Sequence, residues 1–104
     1  MIQTTLIYLN LNNNQLKKLP SSIGNLAELR TLIVGRNQME QLPPEIGKLT
    51  HLIELNVAGS GAMLQFPNTL CEIRSIEILI VDASMQVPGC VGARNYPRFK
   101  IIIQ

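Results

Sequence analysis

A pattern of apolar residues repeats with a period of 23 residues, and this repetition constrains the fold more than any other feature of the chain. The segment LIYLNLNNNQLKKLPSSIGNLAE matches the segment LRTLIVGRNQMEQLPPEIGKLTH that follows it. A fixed period in this range is typical of a solenoid, in which each repeat buries its apolar face only against its neighbours. The matched positions are Leu6, Leu9, Leu11, Asn14, Leu16, Leu19, Pro20, Ile23 and Leu26, which fall on Leu29, Leu32, Val34, Asn37, Met39, Leu42, Pro43, Ile46 and Leu49.

Two further copies continue the pattern less faithfully. The third starts at Leu52 and carries one extra residue in the stretch GSGAMLQ, so the fourth starts at Ile76 and loses the pattern after the stretch QVP. A chain of this length forms one domain, residues 1–104. The later stretch YPRFKI regains the apolar spacing and predicts a capping strand at about 99–103. We predict repeats at about residues 6–28, 29–51, 52–75 and 76–98.

Each repeat combines two kinds of apolar spacing. In the first part, Leu9 and Leu11 are two residues apart, which is typical of a short, half-buried strand. In the second part, Ile23 and Leu26 are three residues apart and follow Pro20. This spacing favours a short helix or 3₁₀ segment whose first turn lies near the proline. Each repeat is therefore predicted to contain a strand, a turn, a short helical segment and a second turn.

The chain resembles the leucine-rich repeat family. The resemblance rests on the segment LIYLNLNNNQLKKLP and its copy LRTLIVGRNQMEQLP, and it covers residues 5 to about 88. The 23-residue form with LPxxIGxL is most similar to intracellular members, such as Ras-associated scaffold repeats and plant intracellular relatives. The resemblance implies an α/β fold, a right-handed solenoid with a parallel β-sheet on its concave side and short helices or 3₁₀ turns on its convex side. It also implies a role in binding proteins.

Asparagine recurs where the first two strands of the predicted solenoid end. The chain turns sharply there, and a buried side-chain amide can pair the backbone groups that the turn leaves without partners. Asn14 and Asn37 occupy this position, and we predict that they form a structural ladder between repeats. Ser60 and Ser84 occupy the same position in the later repeats, where a hydroxyl can replace the amide only in part.

Composition limits the class of partner. The net charge is +2, from nine basic and seven acidic residues, which is too small to indicate binding to nucleic acid or to an anionic membrane. No apolar run approaches the roughly 18 residues of a membrane span. Cys71 and Cys90 show no close pairing and no CxxC motif, so we expect Cys71 to be a packing residue and Cys90 to lie exposed in the cap. This cysteine usage favours a reducing, cytoplasmic location.

Candidate catalytic groups are scarce. His51 is the single histidine and is expected in an exposed loop, and no set of metal-ligand residues has workable spacing. The stretch GSG lacks the further residues of a phosphate-binding or dinucleotide-binding loop. We therefore predict that the chain is not an enzyme and has no metal or cofactor.

The outward positions of the predicted sheet are the candidate contact residues. Exposed aliphatic side chains on an open sheet indicate either a contact surface or only the β-propensity of isoleucine. Tyr8 and Arg36 are of the types most common at interface hot spots. The candidate protein-binding residues are Tyr8, Asn10, Asn12, Asn13, Thr31, Ile33, Arg36, Glu54, Asn56, Ile78, Ile80 and Asp82.

Three functions are compatible with such a surface. The leading prediction is a protein-binding module that acts as an interaction scaffold or adaptor in signalling. The alternatives are a regulator of a signalling enzyme, such as a small GTPase or phosphatase, and a truncated or designed fragment without its own partner.

The first strand suggests a further interaction. Residues 1–11 contain no charge and no proline, the residue types that usually blunt a free strand edge. We therefore also predict self-association through this N-terminal edge.

Overall fold

The computed structural model describes residues 5–61, 64–92 and 99–104. Within these residues, parallel strands form one sheet in chain order. A 3₁₀ helix follows each of the first three strands, and a short α-helix follows the fourth. The strands are β1 (Tyr8–Asn10), β2 (Thr31–Ile33), β3 (Glu54–Asn56), β4 (Ile78–Val81) and β5 (Lys100–Ile103), and the helices are η1 (Ser21–Asn25), η2 (Pro44–Lys48), η3 (Asn68–Glu72) and α1 (Gly89–Gly92). The predicted parallel solenoid with 3₁₀ turns is therefore confirmed.

Each 3₁₀ helix begins directly after a proline. Pro20 has extended backbone at φ −70°, close to the angle that its ring imposes, and its carbonyl accepts a hydrogen bond from the N–H of Ile23 at 3.1 Å. The same bond recurs in the next two repeats. It points one apolar side chain of each turn into the core, namely Ile23, Ile46 and Leu70.

The repeat pattern of the fourth repeat continues past the point where it could be recognised in the sequence. We expected the pattern to end after QVP, but the segment VPGCVG occupies the place of LPSSIG in the first repeat. Val91 is fully buried, and its N–H donates to the carbonyl of Pro88 at 2.9 Å, as in the earlier turns. The match escaped the sequence comparison because fewer residues separate β4 from its proline than separate the earlier strands from theirs.

Apolar side chains at one repeat position stack through the whole core. Strand register aligns Leu9, Leu32, Leu55, Leu79 and Ile101. The three middle members are fully buried, whereas Leu9 and Ile101 are half-buried because they lie on the two outermost strands of the described sheet. The strand β5 lies where the sequence indicated one at about 99–103.

Glycine allows successive 3₁₀ helices to pack closely. A Cβ atom on Gly24 would lie 2.8 Å from the carbonyl oxygen of Glu45. A Cβ atom on Gly47 would lie 2.7 Å from the Cβ atom of Thr69. Larger side chains at these two positions would therefore push neighbouring repeats apart.

The two cysteines are bonded to each other, contrary to the sequence expectation. Cys71 in η3 and Cys90 in α1 form a disulfide with their Cα atoms 5.7 Å apart. They are 19 residues apart along the chain, and only the stacking of the third and fourth repeats brings them together. The cysteines therefore do not support a reducing compartment, and the cytoplasmic location stays a prediction.

None of the helices in the described part of the chain has the length and apolar character needed to cross a membrane.

Candidate protein-binding surface

The sheet face is the set of outward side chains that alternate with the core side chains along each strand. Strand register aligns them in two rows, and every member is exposed or half-buried. The first row is Tyr8, Thr31, Glu54, Ile78 and Lys100, and the second is Asn10, Ile33, Asn56, Ile80 and Ile102. The predicted contact residues of the strands therefore lie together on one surface.

The sheet face becomes more apolar toward β5. Ile78 and Ile80 on β4 lie beside Ile102 on β5, and Ile102 is 40% exposed. The charged side chain of Lys100 adjoins Ile78 across the two strands. The sequence prediction missed Ile102, although its alternation with the core residue Ile101 could have identified it.

Two predicted contact asparagines have partners within the chain. The Oδ1 atom of Asn10 accepts from the N–H of Asn12 at 2.9 Å, and the Oδ1 atom of Asn56 accepts from the N–H of Ala58 at 3.1 Å. Both bonds are Asx turns, which direct the chain out of β1 and β3. These two side-chain oxygens therefore stabilise the strand ends.

The turns that follow the first three strands share a left-handed residue. Asn13, Arg36 and Gly59 occupy the same repeat position with φ values of 60°, 54° and 79°. Asparagine and glycine tolerate this conformation, but arginine adopts it less readily. Arg36 is exposed, so its charged side chain extends from a position that glycine or asparagine would fill with less strain.

The remaining predicted contact residues lie in the turns that follow β1 and β4. Asn12 and Asn13 are both exposed. The carboxylate of Asp82 accepts a hydrogen bond from the N–H of Gly59 at 2.9 Å, which joins the turns of the third and fourth repeats. Asp82 thus has an internal role besides its half-buried place on this surface.

Asn37 is buried and joins the first two repeats through its side chain. Its Oδ1 atom accepts from two backbone N–H groups, and the two hydrogens of its Nδ2 atom are shared among three carbonyl oxygens within hydrogen-bonding distance. The donors to Oδ1 are Asn14 and Leu16, at 3.0 and 2.9 Å, and the acceptors are Leu11, Val34 and Gly35, at 3.0, 2.9 and 3.0 Å.

Asn14 differs from Asn37 in its surroundings. It is exposed, because its repeat is the outermost one that the structure describes, and its Nδ2 atom donates to the carbonyl of Asn12 at 3.1 Å. The predicted ladder therefore does not contain Asn14 as a buried member. In the third repeat, the hydroxyl of Ser60 donates only to the carbonyl of Val57, at 2.6 Å, while Ser84 in the fourth is exposed.

The described residues offer little for metal chemistry. No group of three or more histidine, cysteine, aspartate and glutamate side chains among them could hold a metal ion. His51 is exposed, and its Nδ1 atom lies 3.1 Å from the carbonyl oxygen of Ala27 in the preceding repeat, within hydrogen-bonding distance.

Comparison with known proteins identifies the family. A model of the leucine-rich repeat region matches residues 3–91. The chain belongs to the leucine-rich repeat family. Nineteen chains of solved structures match this leucine-rich repeat chain. One is a leucine-rich repeat protein of Leptospira interrogans, 32% identical with a TM-score of 0.67, and the match covers 74% of this chain and 20% of that one. The chain thus spans about a fifth of that protein's length. The comparison with curated proteins found no match to this chain.

Proposed function

We propose that this leucine-rich repeat chain binds another protein through the sheet face, as a scaffold or adaptor module that catalyses no reaction. The observation that carries the proposal is the apolar patch of Ile78, Ile80 and Ile102 on β4 and β5, with Ile33 further along the same row beyond Asn56. Apolar groups that remain exposed and contiguous on a soluble protein commonly mark interaction sites.

The fold suits rigid presentation of these side chains. The sheet face rests directly on the fully buried layer that contains Leu32, Leu55 and Leu79. Backbone hydrogen bonds join each strand to the next, so the spacing between neighbouring outward side chains is fixed. A preorganised surface loses little conformational entropy on binding. The partner we expect is a folded protein that covers the isoleucines with apolar side chains and meets Glu54 and Lys100 with polar ones.

Affinity capture with a charged double variant tests this surface. Ile33→Asp/Ile80→Asp places two carboxylates within the proposed contact, and burying them without partners would be unfavourable. We expect a protein captured by the wild type to be recovered at least tenfold less with this variant. The matched control is Ser22→Asp/Asn25→Asp, which adds the same charge at exposed positions of η1.

The control variant must still capture the partner protein for the proposal to stand. Circular dichroism of both variants checks that they are folded, since Ile33 and Ile80 are half-buried. Equal recovery with the two variants would place the binding surface elsewhere.

We also propose that the N-terminal edge self-associates. Leu6, Ile7 and Tyr8 are 42%, 52% and 54% exposed at or beside β1, which is an edge strand of the described sheet. An unpaired apolar edge is a template for another strand. Sedimentation at micromolar concentration should detect dimers or larger species, and Thr5→Pro/Ile7→Lys should abolish them. A monomeric wild type would refute the proposal.

A further inference from the structure

One contact recurs between successive helical turns on the side opposite the sheet face. Gly24 of the first repeat lies against Glu45 of the second, and Gly47 of the second lies against Thr69 of the third. The hydroxyl of Thr69 also donates to the carbonyl of Pro44 at 2.6 Å, so this contact holds the two turns together without a covalent bond.

The disulfide occupies the third instance of this contact. Cys71 takes the place of Gly24 and Gly47 in the third repeat, and Cys90 takes the place of Thr69 in the fourth. These are the only cysteines of the chain. Two cysteines placed at random would rarely fall on both sides of one inter-repeat contact.

We infer that Cys71–Cys90 is a redox-sensitive staple, which makes the stability of the fourth repeat depend on the thiol redox state of its surroundings. The cross-link closes a loop that contains β4, with a sequence separation of 19 residues. Closing such a loop restricts the unfolded chain and stabilises the folded one. Cys90 directly precedes Val91, whose fully buried side chain anchors α1 in the core. The staple therefore also helps to hold α1 against the third repeat.

The exposure of the two residues permits reduction in the folded protein. Cys90 is exposed and Cys71 is half-buried, so a thiolate can reach the sulfur of Cys90. A small dithiol supplies the two electrons. Its first thiolate attacks Sγ of Cys90 and releases the Cys71 thiolate, which takes up a proton. The second thiolate of the dithiol then displaces Cys90, leaving two free cysteines and the cyclic disulfide of the reductant.

The consequence for binding rests on the proposed function. Ile78 and Ile80 lie on β4, inside the closed loop, so opening the staple weakens the apolar part of the sheet face first. Disulfides persist in oxidising compartments and are rare in the cytosol. The state of this bond in cells therefore distinguishes an oxidising compartment from the cytoplasmic location that the sequence predicted.

Thermal unfolding with and without dithiothreitol tests the staple and needs no binding partner. Labelling with iodoacetamide and intact mass measurement first establish that the starting protein takes no label and the reduced protein takes two. We expect reduction to lower the unfolding midpoint by roughly 10–20 °C. Cys71→Ser/Cys90→Ser should unfold at a similarly low midpoint and should not respond to dithiothreitol.

Hydrogen exchange of the reduced wild type locates the effect. Amides of β4 and α1 should exchange faster after reduction, while those of β2 should change little. The inference would be overturned if the thermal unfolding midpoint were unchanged in reduced protein that takes two iodoacetamide labels. It would also be overturned if hydrogen exchange rose equally at β2 and β4. A lowered midpoint together with failure of the capture experiment would support the staple and reject only the proposed function.

Discussion

Replacing Asn37 with alanine should lower the free energy of unfolding by about 3 kcal/mol, because several buried backbone groups lose their partner at once. The side chain has five hydrogen-bond partners, and three of them, the N–H groups of Asn14 and Leu16 and the carbonyl of Leu11, belong to the first repeat. An alanine side chain cannot replace any of these bonds. Urea unfolding measures the loss.

The matched control is Asn25→Ala. Asn25 is exposed at the end of η1, so the same substitution there should change the free energy of unfolding by less than about 0.5 kcal/mol. Equal losses at the two positions would show that Asn37 does not join the repeats in the manner described.

Replacing Leu55 with alanine should destabilise the chain by about 3–5 kcal/mol, because it opens a cavity in a layer that has neighbours on both sides. Leu55 is fully buried between Leu32 and Leu79. Leu9 occupies the same repeat position but is half-buried on β1, so Leu9→Ala should cost about half as much. Urea unfolding of the two variants gives the comparison, and a larger loss at Leu9 would contradict the stacking order.

The fold could be predicted from the sequence because a fixed period determines many contacts at once. The spacing of Leu9 and Leu11 identifies the strand, and the copy 23 residues later identifies its neighbour. The same period gives the strand register, since Leu9 pairs with Leu32 as the repeats imply. Equivalent residues of stacked repeats must lie side by side, so aligning the repeats predicts which strands pair and in which register.

Two of the missed features depend on irregular spacing between repeats. The fourth repeat is shortened before Pro88, so a fixed offset does not find Val91. The pairing of Cys71 with Cys90 can be recognised only after the fourth repeat is aligned with the first three.

The asparagines of the sheet face show a second limit of sequence patterns. Asn10 and Asn56 occupy outward positions, as predicted, but their oxygens accept from the chain's own backbone. Alternation along a strand gives the side on which a residue lies, but it does not show whether its polar atoms are already paired.

Site-specific photo-crosslinking of the captured partner tests most directly the claim that the sheet face is the binding surface. A photoreactive amino acid at Thr31 would lie on the sheet face, and one at Ser22 would lie on the exposed side of η1. We predict that irradiation joins the partner to the chain through position 31 and not through position 22. Crosslinking through position 22 with none at position 31 would contradict the proposed surface.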